Sequence, residues 1–189
     1  MVHYSKANYE QALEFLQKSL KIRIQTLGKE HPDVATSYNN IGSVHDSKGN
    51  YEQALEFYQK SLKIRIQVLG KEHPEVASSY NNIGLVHDSK GNYEQALEFY
   101  QKSLKIWIQT LGKEHPDVAT SYNNISMVHY SKANYEQALE FYQKSLEIRI
   151  QTLGKEHPDV ASTYNNIDLV KKAKKKSEKS KDTCILSFI

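Results

Sequence analysis

The chain has 189 residues, 39% hydrophobic and 25% charged, with a formal net charge of +3, which is an ordinary balance for one domain with a continuous core. No run approaches the roughly 18 apolar residues of a membrane span, and the opening MVHYSKANYEQ lacks the basic and apolar segments of a secretory signal, so a cytoplasmic setting is expected. Lone Cys184 excludes an internal disulfide and a multi-cysteine metal site, and it stands sixth from the end rather than at the fourth position that prenylation requires.

In chain order, residues 2–6 (VHYSK) match 44–48 (VHDSK), so the sequence opens in the last turn of a helix whose earlier part is missing. Residues 1–31 therefore read as a partial repeat, a second helix preceded by the end of a first. Pro32, Pro74, Pro116 and Pro158 then recur with a period of 42 residues, and Tyr51/Tyr93/Tyr135, Ala54/Ala96/Ala138 and Leu62/Leu104/Leu146 follow it. Residues 32–73 and 74–115 differ at five positions: Asp33/Glu75, Thr36/Ser78, Ser43/Leu85, Arg65/Trp107 and Val68/Thr110. Full repeats span 32–73, 74–115 and 116–157. Residues 158–170 supply a further first helix with no second one, and 171–189 form a Lys-rich tail. The sequence thus resembles a slice of a longer array, whose helix at 9–27 is expected to expose an apolar side and to favour self-association.

Each unit reads as two helices. Pro32 takes the opening helical position with Asp33 behind it, favourable for geometry and dipole, and Gly49 ends the helix, giving a span of roughly 32–48. Asn50 is placed to cap the second helix, with Gln53 three residues on as in a capping box. Tyr51, Ala54, Leu55, Tyr58, Ser61, Leu62, Arg65, Ile66 and Leu69 recur at helical spacing up to Gly70. The short GKEHP linker forces consecutive helices to pack as antiparallel neighbours. A pair of this size cannot bury its apolar side alone, so the copies must stack into an all-α solenoid.

The string YNNIGSVHDSKGNYEQALEFYQKSL resembles a tetratricopeptide repeat: Ile41 and Gly42 match its Leu-Gly, Gly49 its mid-repeat Gly, and Tyr51, Ala54 and Tyr58 its Tyr, Ala and aromatic. Ser61 stands where that family usually has Ala, and His45 where it usually has Tyr. The 42-residue period, the long second helix and the LGKEHPDVA loop resemble the variant of kinesin light chains and nephrocystin-like proteins. The Gly/Tyr/Ala pattern argues against HEAT and armadillo repeats. The resemblance implies a right-handed superhelix of antiparallel helix pairs, whose first helices line a concave groove that receives an extended peptide. It does not imply a motor partner, because kinesin light chains also carry an N-terminal coiled coil and this chain has no such heptads.

At about 100° per residue, Tyr38, Ile41, Gly42 and His45 fall on one side of the first helix, and Asn39, Asn40, Ser43 and Asp46 on the other. Asn is a weak helix former, so the recurrent pairs Asn39/Asn40, Asn81/Asn82 and Asn123/Asn124, with Asn166 in the last copy, ask for a reason. On the resemblance, these asparagines are candidates to bond a ligand main chain, since each carries an acceptor and two donors. The alternative is that they bond neighbouring helices. At two levels of the same face the copies differ, with Ser43, Leu85 and Met127 at one and Asp46, Asp88 and Tyr130 at the other. These are candidate side-chain pockets, or the result of drift after duplication.

Catalytic signatures are missing. His3, His45, His87 and His129 are one position copied, as are His31, His73, His115 and His157 before each Pro, where a turn or cap role is expected rather than metal ligation. No nucleophile elbow, phosphate loop or paired zinc motif occurs, so neither enzymatic activity nor a cofactor nor a small-molecule substrate is expected. Most of the 13 Tyr belong to core positions rather than to a base-stacking surface. Trp107 replaces an Arg at the edge of the second helix's apolar stripe, to pack on the next repeat or to stand exposed as a hot spot. Seven Lys fall between 171 and 181, leaving about −2 for the rest of the chain. That tail is expected to fray, as a solvating arm or one that touches nucleic acid or an anionic membrane. The expected partner is a protein or peptide.

Overall fold

In the computed structural model, residues 6–186 are described for backbone and 8–179 for side chains. Residues 2–5 of the helix end expected at 2–6, His3 among them, and the side chains of the final CILSFI, Cys184 included, lie outside those ranges. Eight helices follow in chain order: α1 Lys6–Leu27, α2 Pro32–Ser47, α3 Tyr51–Leu69, α4 Pro74–Ser89, α5 Tyr93–Leu111, α6 Pro116–Ser131, α7 Tyr135–Leu153 and α8 Pro158–Leu186. No strand occurs among the described residues. The chain is an all-α helical repeat solenoid. It divides into two compact units, Met1–Ile106 and Trp107–Ile189.

The starts of α2, α4 and α6 show why the His-Pro pairs recur. His31, His73 and His115 are the N-caps, and each imidazole Nδ1 accepts from a backbone N–H two residues on: Asp33 at 3.1 Å, Glu75 at 3.2 Å and Asp117 at 3.2 Å. His157 does the same for Asp159 at 3.1 Å. Each cap satisfies one orphan donor, while Pro at the next position has no N–H to satisfy. The expected capping box at Asn50 does not form. Asn50 and Asn134 are N-caps without a side-chain hydrogen bond. Instead the Asn50 backbone N–H donates to His45 O at 2.9 Å, closing the turn after Gly49, whose φ is +75°. Ala133 holds the same place with φ +58°, a left-handed conformation that a Cβ disfavours.

In the first unit, Val34, Ala35 and Ile64 pack with Leu20, Ile24 and Tyr38, and Ala54, Tyr58, Ile83 and Val86 pack with Tyr51, Leu55, Leu62 and Phe99. In the second, Ala138, Tyr142 and Val170 pack with Tyr135, Leu139 and Ile167. Successive helices are locked by an arginine. Arg23 Nη1 donates to Asp33 O and Ser37 Oγ at 3.1 and 2.8 Å, Arg65 to Glu75 O and Ser79 Oγ at 3.1 and 2.8 Å, and Arg149 to Asp159 O and Thr163 Oγ1 at 3.1 and 2.7 Å. Trp107 holds the same position in the copy between and is buried, so it packs rather than standing exposed.

The Lys-rich tail, which leaves the repeat pattern after Val170 and was expected to fray, is helical instead. α8 runs on to Leu186. Lys and Ala are good helix formers, and the extension is joined by ion pairs Lys172–Asp168 at 2.6 Å, Lys174–Glu178 at 3.9 Å and Lys174–Glu136 of α7 at 3.0 Å.

Candidate functional site

The site is built on the polar side of the first helix of each pair, held there because the opposite side is consumed by packing. Gly42 and Gly84 let a tyrosine of the following helix lie flat on that packed side. A Cβ on Gly42 would sit 2.9 Å from Tyr58 Cδ1, and one on Gly84 2.7 Å from Tyr100 Cε1. His45, His87 and His129 stack on Phe57, Phe99 and Phe141, with centroids 5.4, 5.4 and 5.6 Å apart and planes within 5°. Burial pushes all three imidazoles below their ordinary value, with Lys48, Lys90 and Lys132 adding to the effect. They are packed core groups. Among the described residues, no group of three or more His, Cys, Asp or Glu is placed to hold a metal ion.

In the first unit, α2 exposes Asn40 and Ser43, and leaves Asn39 and Asp46 half-buried. On α4, Asn81, Asn82 and Asp88 are half-buried and Leu85 is exposed. Asn82 Nδ2 donates to Asn39 Oδ1 across the two helices at 3.0 Å. The paired asparagines thus do tie neighbouring helices here, while the Asn82 carboxamide keeps an oxygen and an N–H for another partner. Ser43 is hydrogen-bonded to the Tyr58 hydroxyl, which burial and nearby Asp46 push up to about 12. Burial pushes the Tyr100 hydroxyl up, with the charges of Asp88 and Asp46 adding to the effect. Burial also raises both aspartates above the usual carboxylate value.

In the second unit the same levels are apolar. Met127 and Tyr130 of α6 are exposed, Asn123 and Asn124 are half-buried, and Asn123 Nδ2 reaches Met127 Sδ at 3.6 Å. Met127, Tyr130 and Ser131 of α6, Tyr142 of α7, and Asn166, Leu169 and Val170 of α8 line a half-open cavity of about 320 Å³. Burial, then neighbouring Tyr130, pushes the Tyr142 hydroxyl up to about 12. Three expected residues (Met127, Tyr130 and Asn166) are brought together. Leu169 and Tyr142 were missed, although Leu169 stands 42 residues after Met127 and the period pointed to it.

Stacked helix pairs with one solvated polar face make a protein-interaction scaffold, a fold that is typically non-enzymatic. The chain belongs to the Tetratricopeptide repeat family, whose profile matches residues 1–67, 47–107, 89–150 and 123–182. Among solved structures it is similar to BtubC (BKLC) from P. vanneervenii, at 27% identity and a TM-score of 0.79 over 93% of this chain and 71% of that one. A Podospora anserina putative kinesin light chain with nearly identical TPR-like repeats, and its Q17M form, align at 22% identity with TM-scores of 0.75 and 0.76, over 93% of this chain and 83% of those, and share the fold. No curated protein matches the sequence. No helix among the described residues is long and apolar enough to cross a membrane.

Proposed function

We propose that the exposed sides of the first helices, α2 and α4 in the first unit and α6 and α8 in the second, each bind an extended peptide segment of a partner protein, in a cargo-adaptor or scaffold role like that of the kinesin light chains the repeats resemble. The observation that carries this reading is the cavity of about 320 Å³ rimmed by Met127, Tyr130, Asn166 and Leu169, which suits one apolar or aromatic peptide side chain. Asn40 and Asn82 in the first unit, and Asn124 and Asn166 in the second, serve the main chain of the segment bound there, each hydrogen bond contributing about 0.5–1.5 kcal/mol net. Binding of this kind breaks no bond.

The test is a fluorescent array of extended 12-residue peptides probed with the whole chain. Wild type retains a subset of peptides, and Met127→Asp with Leu169→Asp, two exposed positions, loses it at unchanged helicity. Retention by that variant equal to wild type would defeat the proposal. A second reading, self-association through α1, rests on Phe15 and Ile22, which are 70% and 59% exposed. Light scattering on Phe15→Ser/Ile22→Ser tests it: a mass that falls relative to wild type supports it, and an unchanged monomer removes it.

A further inference from the structure

Two faces that packing covers in the interior copies of the repeat lie open on α1 and α8. On α1, Phe15 and Ile22 are 70% and 59% exposed. One period on, Phe57 is half-buried against α2, and Ile64, Ile106 and Ile148 are buried. On α8, Ala161 is exposed and Tyr164 is 51% exposed, whereas Ala35, Ala77 and Ala119 are buried and Tyr38, Tyr80 and Tyr122 are half-buried. The interior pairs show what belongs on each face. Tyr38 meets Phe57 with ring centroids 6.1 Å apart, Tyr80 meets Phe99 at 6.0 Å and Tyr122 meets Phe141 at 5.9 Å, with planes tilted by 33°, 34° and 31°. Ala35 and Ile64 share one core cluster. By the 42-residue period, α8 presents Tyr164 and Ala161 where α2 presents Tyr38 and Ala35, and α1 presents Phe15 and Ile22 where α3 presents Phe57 and Ile64. Each open face is therefore the complement of the other, and large apolar groups left in water favour the contact that covers them.

We infer that α8 of one copy of the chain docks on α1 of a second copy, in the packing of α2 on α3, so that the repeat continues from copy to copy. This rests on the reading that the chain self-associates through α1, and it names the surface that α1 meets. Tyr164 lies on Phe15 and Ala161 on Ile22. Lys18, already 5.9 Å from the Phe15 ring centroid, bridges to Tyr164 as Lys60 bridges Phe57 and Tyr38 at 5.1 and 5.8 Å. Lys171 holds the place of His45, whose ring stacks on Phe57 at 5.4 Å, and lays its aliphatic stem on Phe15 there. Asp168 stands at the place of Gly42 and Leu16 at that of Tyr58, so a bulkier group on α8 meets a smaller one on α1. The Asp168 carboxylate brings its own counter-ion, Lys172 at 2.6 Å, so docking strands no unpaired charge. Because the two surfaces differ, the contact is heterologous: each joined copy keeps one open face, and assembly adds further copies rather than stopping at a symmetric pair.

The experiment mixes two variants of the whole chain, each blocked at one face: Phe15→Ser/Ile22→Ser and Ala161→Glu/Tyr164→Ser. All four positions are exposed, so circular dichroism is expected to show wild-type helicity for both. In analytical ultracentrifugation, the wild-type mass is expected to climb past that of two copies as concentration rises, and each variant alone to stay at one copy. Their equimolar mixture gives a one-to-one pair and nothing larger, because only one junction can form in it. The register is read separately: benzoylphenylalanine in place of Tyr164 crosslinks to the tryptic fragment 7–18 of a second copy, which holds Phe15. An Ala161→Glu/Tyr164→Ser variant that still assembles alone overturns the inference, since α1 then meets some other surface. So does a mixture that stays at one copy while wild type associates, or a crosslink that lands outside α1. In those cases self-association through α1 survives its partner surface. Wild type that remains at one copy at millimolar concentration overturns both readings together.

Discussion

Arg65→Ala tests how much of the stacking rests on the arginine locks. Arg65 is 7% exposed. Its Nη1 donates to Glu75 O at 3.1 Å and Ser79 Oγ at 2.8 Å, while Nε lies 3.2 Å from Glu75 Oε2 as an ion pair without hydrogen-bond alignment. Truncation does not orphan the acceptors completely, because Ser79 Oγ still donates to Glu75 O at 3.1 Å and the Glu75 carboxylate is 46% exposed and can return to water. What is lost is the charged donor's hydrogen bonding, about 1.5–3 kcal/mol, and the packing of the buried stem, about 1 kcal/mol. The expected cost is therefore about 2–4 kcal/mol, or roughly 4–16 °C in melting temperature for a chain of this size. Arg65→Trp is the exchange the chain itself carries at Trp107, where the indole is buried, and it is expected to cost roughly half as much or less. Urea unfolding followed by circular dichroism measures both. An Arg65→Ala cost under about 0.5 kcal/mol, the range of ordinary surface changes, would refute the lock.

Three further outcomes follow from the packing. His45, His87 and His129 hold their protons less tightly when folded than the ordinary value of 6.5, so the folded chain binds fewer protons than the unfolded one as pH drops through 6.5. Their contribution is fully present above 6.5 and is lost below it, so the melting temperature falls between about pH 7.5 and about pH 5.5, and replacing all three by Phe flattens that slope. Gly84→Ala gains up to about 1 kcal/mol of helix propensity but drives a Cβ to 2.7 Å from the Tyr100 ring, so a net loss of up to about 2 kcal/mol is expected in thermal melts, and a stabilised variant would contradict the contact. Ala133→Gly relieves the left-handed backbone that Gly49 and Gly91 adopt freely and should stabilise by up to about 1 kcal/mol; a loss would show that the strain is relieved elsewhere.

The period carried most of the fold. His-Pro before each first helix and Gly after it fixed the boundaries of α2 to within one residue, because those residues act through local backbone chemistry that needs no tertiary context. What was not legible depends on partners in space. Asn50 has the residue type of a cap, yet the turn closes through its backbone N–H to His45 instead. The lysines after Val170 have a disordered composition, yet α8 continues with Lys174 paired to Glu136 of α7. At the candidate site, the asparagine and Ser43/Asp46 levels followed from helical phase. The buried, unpartnered Tyr100 hydroxyl did not, since the pattern marks it only as core.

The most direct test of the central claim places a photo-crosslinking side chain singly at Asn40, Asn82 and Asn124 on the first helices, and at the exposed Gln59, Gln101 and Gln143 on the second helices, with an array-selected peptide as ligand. Crosslinks from the asparagine positions and none from the glutamines are what the account predicts. Crosslinks confined to Gln59, Gln101 and Gln143 would contradict it and move recognition to the opposite face.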